Sequence, residues 1–285
     1  MADVITGNPQ LSATKMAAIA AAAQKSLAFA AKLPPLFTDL SFLVGKGMKS
    51  LEIPKLTEFT AVNRATQAAA DASALTASGD LMLLNKVPHI NFIIDPQDDV
   101  QSRLDVQIEF ASRAAASMGR FVDSALVTEL FAVGEAIGAA GDISKTWVLD
   151  AREYLEGNNA SMDDLALVVA ADQHRVLLGI DDFVRYDSTG VAAAPIVTGM
   201  IGRIYGVPVV LSNALAAQKY AMVEKSGLAY AFQRQPQVGV ESDVKYGPTA
   251  QRWAIEAQFG VKGMQLDVGS ASAGKSALLA IDANP

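Results

Sequence analysis

The chain has 285 residues, a formal net charge of −7 and no cysteine. An acidic chain without a run of lysine and arginine argues against nucleic-acid binding through a basic surface, and the lack of cysteine excludes disulfides, thiolate zinc sites and cysteine nucleophiles. Half of the residues are hydrophobic, and many of these are alanine. This composition favours a protein that buries much of its surface against copies of itself, although an alanine-rich enzyme fits it almost as well.

An alanine-rich helix is predicted near the N-terminus, over residues 13–33, because alanine has the highest helix propensity. Lys15 followed by the apolar run Met16–Ala23 imitates a signal peptide, but the run is short and secretion is not expected. It is also too short for a membrane span, which needs about 20 apolar residues. Pro34-Pro35 ends the helix.

A long β-hairpin is predicted over residues 45–94. Its outgoing strand is Met48–Leu56, and its return strand is Leu81–Ile94, with a break or an edge position at Pro88. The tip between them, Thr57–Gly79, is rich in small polar residues. Because a tip of this length is uncommon inside a compact domain, we predict an arm that reaches onto a neighbouring subunit.

A long amphipathic helix is predicted from Asp95 to Gly141, with Asp95 as N-cap and Pro96 in the first turn. About 40 helical residues would span roughly 60 Å. Gly119 and Gly134 are the weak points. The apolar face is predicted to pack on strands near 250–268, and it comprises Val100, Leu104, Ile108, Ala111, Ala115, Met118, Val122, Leu126 and Val133. The polar face comprises Gln101, Arg103, Asp105, Glu109, Arg113, Arg120, Asp123 and Glu129.

The remainder of the chain alternates short helices and strands. The predicted elements are a helix at Ile143–Glu156, a buried strand at Asp164–Ala170, a short helix at Gln173–Gly179, a loop at Asp181–Gly190, two strands within Gly199–Asn213 around Gly206, strand-like stretches at Leu228–Phe232 and Val238–Val244, and a hairpin over 250–268 that turns at Gly260–Gly263.

Gly269–Ser276 matches the phosphate-binding P-loop pattern G-x-x-x-x-G-K-[ST] in full. The helix that must follow such a loop has little room, because the chain ends nine residues after Ser276. A flexible C-terminal tail is therefore the favoured interpretation, and a P-loop nucleotide-binding enzyme stays an alternative.

Other chemical signals are weak. His89 and His174 are the only histidines, and neither has a second ligand at metal-binding spacing. No G-x-S-x-G motif is present. Paired carboxylates, which are ordinary at element starts and in solvated loops, occur at Asp98-Asp99, Asp163-Asp164 and Asp181-Asp182. The sequence thus predicts no catalytic, cofactor-binding or metal-ligating residue and no enzymatic activity.

Three stretches resemble the major capsid protein of tailed bacteriophages, which has the Hong Kong 97-like fold. Leu83–Gln101 is similar to the strand that enters the family's spine helix, and Leu165–Gly190 to its strand, short helix and loop. Gly199–Leu215 is similar to a Gly-x-x-Gly, aromatic-Gly, Val-x-x-Ser segment of that family.

The resemblance implies an α+β fold with five segments. These are an N-terminal arm at 1–44, an extended hairpin loop at 45–94, a peripheral domain with the spine helix at 95–160, an axial domain at 161–247, and a return to the peripheral domain with a C-terminal tail at 248–285.

The same resemblance implies a self-assembling structural protein. Hexamers and pentamers would form an icosahedral shell around double-stranded DNA, in a virion assembled in the bacterial cytoplasm. Expected partners are copies of the chain, a portal protein, a separate scaffolding protein and a decoration protein, with DNA held without sequence-specific contacts and no membrane or cofactor involved. An encapsulin-like bacterial nanocompartment shell and an exported adhesion or surface-layer protein are further alternatives.

Overall fold

The computed structural model describes residues 31–56, 77–94, 106–138, 140–180, 202–242, 245, 250–264 and 275–283. The α-helices in these ranges are α1 (Val106–Val133), α2 (Lys145–Gly157) and α3 (Ala171–Leu177). The strands are β1 (Thr38–Asp39), β2 (Ser50–Leu56), β3 (Ala77–Leu83), β4 (His89–Ile94), β5 (Gly134–Ile137), β6 (Leu165–Val169), β7 (Arg203–Ile204), β8 (Val207–Leu211), β9 (Tyr220–Glu224), β10 (Leu228–Ser242), β11 (Gln251–Gly263) and β12 (Ser276–Asp282). None of these helices is long and apolar enough to cross a membrane.

Helix α1 confirms the long helix but ends earlier than predicted. Its 28 residues make it about 42 Å long, and its predicted start at Asp95 lies outside the described residues. The predicted continuation to Gly141 is wrong, because the chain forms β5 from Gly134 onward. A Cβ at Gly134 would lie 2.5 Å from the Ile281 side chain and 2.8 Å from the Leu130 carbonyl oxygen. Glycine therefore lets the chain leave the helix directly against β12.

A four-stranded sheet with the order β1-β10-β11-β4 covers one side of α1. The predicted packing of the helix on strands near 250–268 is confirmed, since Ala114 and Met118 contact Ile255 and Ala257 of β11. Residues 228–242 form one long strand, β10, which pairs antiparallel with β11.

The predicted hairpin turn at Gly260–Gly263 is wrong, because β11 runs through both glycines. Both are positions of close approach. A Cβ at Gly260 would lie 2.5 Å from the Leu83 carbonyl oxygen, and a Cβ at Gly263 would collide with the Val133 side chain. Glycine at these positions serves packing between elements and not chain reversal.

The predicted hairpin of residues 45–94 divides between two sheets. Strands β2 and β3 pair antiparallel, from Ser50 opposite Leu83 to Leu56 opposite Ala77. The chain then breaks around Pro88, as predicted, and β4 joins β11 instead. The predicted tip, residues 57–76 in particular, lies outside the described residues.

A six-stranded sheet with the order β5-β12-β9-β6-β8-β7 forms the other half of the molecule. The predicted strand near Asp164–Ala170 is confirmed as β6, which is buried along its whole length. The predicted strand pair around Gly206 is also confirmed: β7 and β8 are joined by Tyr205 and Gly206, whose φ angles are +48° and +84°. Two positive φ angles are typical of a two-residue hairpin turn.

The interpretation of Gly269–Ser276 and the residues after it as a flexible C-terminal tail is wrong from Ser276 onward, and its residues 269–274 lie outside the described residues. Residues 276–282 form β12, which pairs parallel with β5 and antiparallel with β9. Its apolar side chains Leu279 and Ile281 are buried in the main core. A short apolar run of this kind is sufficient for a buried strand.

Helix α1 lies between the two sheets and shares one hydrophobic core with both. Leu126 and Leu130 of the helix pack in the same cluster as Phe259 of β11 and Val168 of β6. A second cluster joins α2 to the opposite face of the six-stranded sheet through Trp147, Ala151 and Leu155.

The sheets group two segments differently from the predicted domains. Strand β10, predicted in the axial segment 161–247, belongs to the same sheet as β4 and β11. Strand β5, predicted in the peripheral segment 95–160, belongs to the six-stranded sheet, and α2 packs in the cluster of that sheet. The division into peripheral and axial domains itself stays a prediction.

Candidate functional site

The inner face of the β2–β3 hairpin is fixed on the four-stranded sheet. Leu51, Ile53 and Met82 alternate with more exposed residues along the two strands and pack on Ala229 and Ala231 of β10. The small alanine side chains allow a close approach between the hairpin and the sheet. The base of the hairpin is thus part of the folded body.

The outer face of the same hairpin is open to solvent, and two leucines of β3 lie on it opposite Ser50 and Glu52 of β2. Leu81 and Leu83 are 52% and 51% exposed, and they lie on one face because side chains alternate along a strand. Met48, just before β2, is also an exposed large hydrophobic residue. Leu81-Met82-Leu83-Leu84 is therefore a segment with apolar residues on both faces, of which the described chain covers only one.

A rigid turn presents two more apolar side chains beside the hairpin. Both the backbone N–H and the hydroxyl of Ser41 donate to the carboxylate of Asp39, and the Ser41 hydroxyl oxygen accepts from the Phe232 N–H at 2.9 Å. These bonds fix the 3₁₀ turn Ser41–Leu43. Phe42 in this turn is 80% exposed.

We call this set the hairpin-base surface, and its members are Phe42, Leu43, Met48, Leu81 and Leu83. Exposed apolar surface is a feature of interaction sites, and these five exposed side chains lie on the hairpin and on the segment that leads into it. The sequence predicted an arm that reaches a neighbour but did not identify these residues. The available signal was the run of consecutive apolar residues in β3, since a strand that is apolar on both faces is typical of one covered on both sides.

The predicted exposure of Asp123 on α1 is wrong. The residue was predicted on the solvent-facing side of the helix, but it is only 4% exposed. Its carboxylate accepts the backbone N–H groups of Lys32 and Leu33 at 3.1 and 3.2 Å. Burial raises the pKa of this carboxyl, and the two backbone hydrogen bonds oppose that rise.

Burial also raises the pKa values of two tyrosines, Tyr220 and Tyr230. Burial raises the pKa of Tyr220 to about 12, with Asp282 and Asp142 adding to the rise. Burial likewise raises the pKa of Tyr230 to about 12, with a smaller contribution from Asp39. Both hydroxyls therefore stay protonated at any physiological pH.

The P-loop alternative is contradicted by the residues that follow the motif. Ser276 is buried at the start of β12, so a strand stands where a P-loop requires a helix. The Lys275 ammonium donates to the Ala132 carbonyl oxygen at 3.0 Å, an interaction typical of lysine at the carboxyl end of a helix. Residues 269–274 lie outside the described chain.

The other candidate groups are scattered. His89 lies on β4 and His174 on α3, while Asp163 and Asp164 form a turn before β6. In the described ranges, no three His, Cys, Asp or Glu side chains come together in a way that could hold a metal. Asp98-Asp99 and Asp181-Asp182 fall outside those ranges. The absence of catalytic, cofactor-binding and metal residues stays a prediction.

Three solved structures with this fold are distant from this chain in sequence. A chain of Mycobacterium phage Che8 is 19% identical with a TM-score of 0.73, and the match covers 89% of this chain and 91% of that one. The mature capsid of bacteriophage PhiM1 is 14% identical with a TM-score of 0.65, covering 90% and 88%. The virus-like particle from Pyrococcus furiosus is 8% identical with a TM-score of 0.61, covering 94% and 99%.

A search of curated proteins found no match. The model of the phage capsid protein family, in contrast, matches residues 91–267. This range runs from β4 through α1 to the residues just after β11, and it leaves out β1, β2, β3 and β12. Because it spans more than half of the chain, the chain belongs to the phage capsid protein family, and it is a major capsid protein with the Hong Kong 97-like fold.

Proposed function

We propose that this chain assembles through its hairpin-base surface into the hexamers and pentamers of an icosahedral shell. The observation that carries the proposal is the concentration of exposed apolar side chains on rigid elements, with Phe42, Leu81 and Leu83 as the main members. Ring-shaped assemblies need a surface that fits a different surface of the next copy. An apolar surface at the base of an extended hairpin meets this requirement.

Burial of the hairpin-base surface against a neighbouring subunit would contribute free energy to assembly. Complete burial of a leucine or phenylalanine side chain contributes about 1.5–3 kcal/mol, and Leu81 and Leu83 each retain about half of their surface for such burial. In a closed shell the same contact repeats in every subunit. A modest energy per contact therefore suffices.

The shell is proposed to enclose double-stranded DNA without binding it tightly through its phosphates. Strong attraction to phosphates needs clustered lysine and arginine, whereas this chain has a net charge of −7. The proposed partners are a portal protein, a separate scaffolding protein and a decoration protein. The proposed location is the virion, after assembly in the bacterial cytoplasm, and the proposed role is structural and not enzymatic.

We further propose that the four-stranded sheet with α1 forms the peripheral domain and the six-stranded sheet the axial domain. Sheet membership supports this division. It moves β10 to the peripheral part, and it moves β5 and β12 to the axial part.

An encapsulin-like nanocompartment shell is the second candidate. Its support is the likeness in fold to the virus-like particle from Pyrococcus furiosus, which extends over 94% of this chain. The match to the phage capsid protein family favours the first candidate.

Electron microscopy of the purified protein, with a scaffolding protein added where one is needed, tests the proposal. We expect closed polyhedral shells. A protein that stays monomeric in every condition contradicts shell formation. Nuclease-protected double-stranded DNA in native particles supports the virion, and a packaged enzyme supports the nanocompartment.

A further inference from the structure

Helix α1 has an exposed face that carries positive charge. Side chains that recur at steps of three and four residues share one side of a helix, and the exposed residues of α1 follow this spacing. We call this set the α1 face, and its members are Phe110, Arg113, Ser117, Arg120, Phe121 and Ser124. Its two arginines are its only charged members, because the nearby Asp123 is buried.

Contacts with the four-stranded sheet hold the two phenylalanines of the α1 face in place. The ring centre of Phe110 lies 6.0 Å from that of Phe92, and the ring centre of Phe121 lies 6.2 Å from that of Phe259. The two side chains nevertheless remain 49% and 47% exposed. Arg120 makes no ion pair with any side chain in the described ranges. Because aromatic residues and arginine are enriched at interfaces, this composition indicates a contact surface.

Helix α2 has an exposed face of the opposite charge. We call this set the α2 face, and its members are Leu149, Asp150, Glu153 and Glu156. Leu149 is 43% exposed and supplies an apolar centre. Of the cations on this helix, Arg152 pairs with Glu156 at 2.7 Å and Lys145 lies at the N-terminal end. The carboxylates of Asp150 and Glu153 therefore keep the α2 face negative.

The two helices lie on opposite sides of the six-stranded sheet. Val168 of β6 packs in the cluster that contains α1, whereas its neighbour Leu167 packs in the cluster that contains α2. Successive side chains of a strand point to opposite faces of the sheet. The α1 and α2 faces therefore cannot meet within one chain, but they can meet between two copies.

We propose that the α1 face of one copy docks on the α2 face of the next copy. Its arginines lie against the carboxylates of Asp150 and Glu153, and its phenylalanines lie beside Leu149. Complementary charge orients the two copies, and a contact between two different surfaces can close into a ring. The α1 face is about 16 Å long from Phe110 to Phe121, which is enough to cover the roughly 10 Å from Leu149 to Glu156. This contact rests on the proposed assembly but uses no residue of the hairpin-base surface.

Charge reversal of either face tests this contact. Arg113→Glu with Arg120→Glu makes both faces of a copy acidic, and Asp150→Lys with Glu153→Lys makes both basic. Because like charges then oppose each other, we expect either double variant to lower the yield of shells at least about tenfold. All four positions are exposed, so circular dichroism should show folded subunits.

A matched control separates this contact from the effect of net charge. Arg175→Glu with Lys225→Glu makes the same change of net charge as the acidic double variant, at exposed positions outside both faces. This control should assemble in wild-type yield. A loss of assembly equal to that of the acidic double variant would show that net charge is responsible, and it would overturn the proposal.

Restoring opposite charges should restore assembly. A chain that carries all four substitutions has both charges reversed and should recover the yield of shells. In an equimolar mixture of the two double variants, opposite charges meet wherever the variants alternate, which a ring of six allows and a ring of five does not. Native mass spectrometry should therefore detect mixed hexamers without mixed pentamers.

The outcomes distinguish a failure of this contact from a failure of shell assembly. Wild-type yields of shells from both double variants would overturn the contact and leave the proposed assembly in place. Loss of assembly in only one of them would also overturn it, because that face would then meet a different surface, and so would a combined variant that does not recover. A wild-type protein that stays monomeric in every condition would overturn both proposals.

Discussion

Buried Asp123 joins two parts of the chain that are 90 residues apart in sequence. Without its carboxylate, the N–H groups of Lys32 and Leu33 would lose their acceptors in a largely dry environment, which is costly. The residue therefore determines where the N-terminal segment meets the body.

Replacing Asp123 with alanine should lower the free energy of unfolding of the subunit by about 1–3 kcal/mol, the range for leaving buried donors unsatisfied. Urea denaturation of the unassembled subunit measures this change. Asp150→Ala, on the exposed face of α2, is the matched control and should be close to neutral. Equal stability of the two variants would remove the role assigned to Asp123.

The stability of this contact should also depend on pH with a defined sign. Burial raises the pKa of Asp123 above its ordinary value of 3.8, so between these two values the folded state binds more protons than the unfolded state. The stabilisation from protonation is complete below 3.8 and is lost as pH rises through the raised value. The wild type should thus lose stability relative to Asp123→Ala as pH rises through this window. A gain of relative stability there would show that the pKa is lowered instead.

At the scale of elements, the hairpin base depends on one glycine in β11. A Cβ at Gly260 would meet the backbone carbonyl of Leu83, which cannot move without disturbing β3. Gly260→Ala should lower the free energy of unfolding by about 1–3 kcal/mol, as overpacking usually does.

Gly239 in β10 is the matched control for this substitution. The nearest atom to its added Cβ is 4.0 Å away, so Gly239→Ala should be neutral or slightly stabilising. Thermal unfolding of both variants measures the difference. If Gly260→Ala is as stable as the control, the close approach of the hairpin to the sheet is not tight.

The elements that could be predicted from sequence are those with a strong local pattern. Helix α1 follows from apolar periodicity, and strand β6 follows from a short continuous apolar run. The end of α1 at Gly134 and the course of β11 through Gly260 could not be assigned in the same way, because glycine serves turns and close packing alike. Only the positions of Ile281 and Leu83 in space decide between these roles.

The candidate site was predicted even less completely than the fold. The hairpin itself followed from alternation in β2, but the exposure of Phe42 depends on hydrogen bonds between Ser41 and distant Phe232. Asp123 fits the polar face of a helix by periodicity alone. Its buried partners lie far away in sequence, and local patterns carry no information about them.

At the scale of the whole molecule, α1 connects the two sheets and one core unites them. The core includes side chains from the N-terminal segment, such as Leu33 and Phe37, as well as from β12 near the C-terminus. Among the described residues, the large apolar side chains left in solvent include Phe42, Leu81 and Leu83. A single chain therefore has a formed core, and its hairpin-base surface is exposed to solvent.

The central claim is that the hairpin-base surface drives assembly, and sedimentation velocity of two double variants tests it most directly. Leu81→Met with Leu83→Met keeps the surface apolar, whereas Leu81→Ser with Leu83→Ser makes it polar. Because both side chains are half buried, the methionine change should be nearly neutral for the free energy of unfolding of the subunit, and the serine change should lower it by about 1–3 kcal/mol. Circular dichroism checks that both variants remain folded. We predict that the wild type and the methionine variant sediment as shells, and that the serine variant remains as small, folded species. Shells formed by the serine variant in wild-type yield would contradict the account.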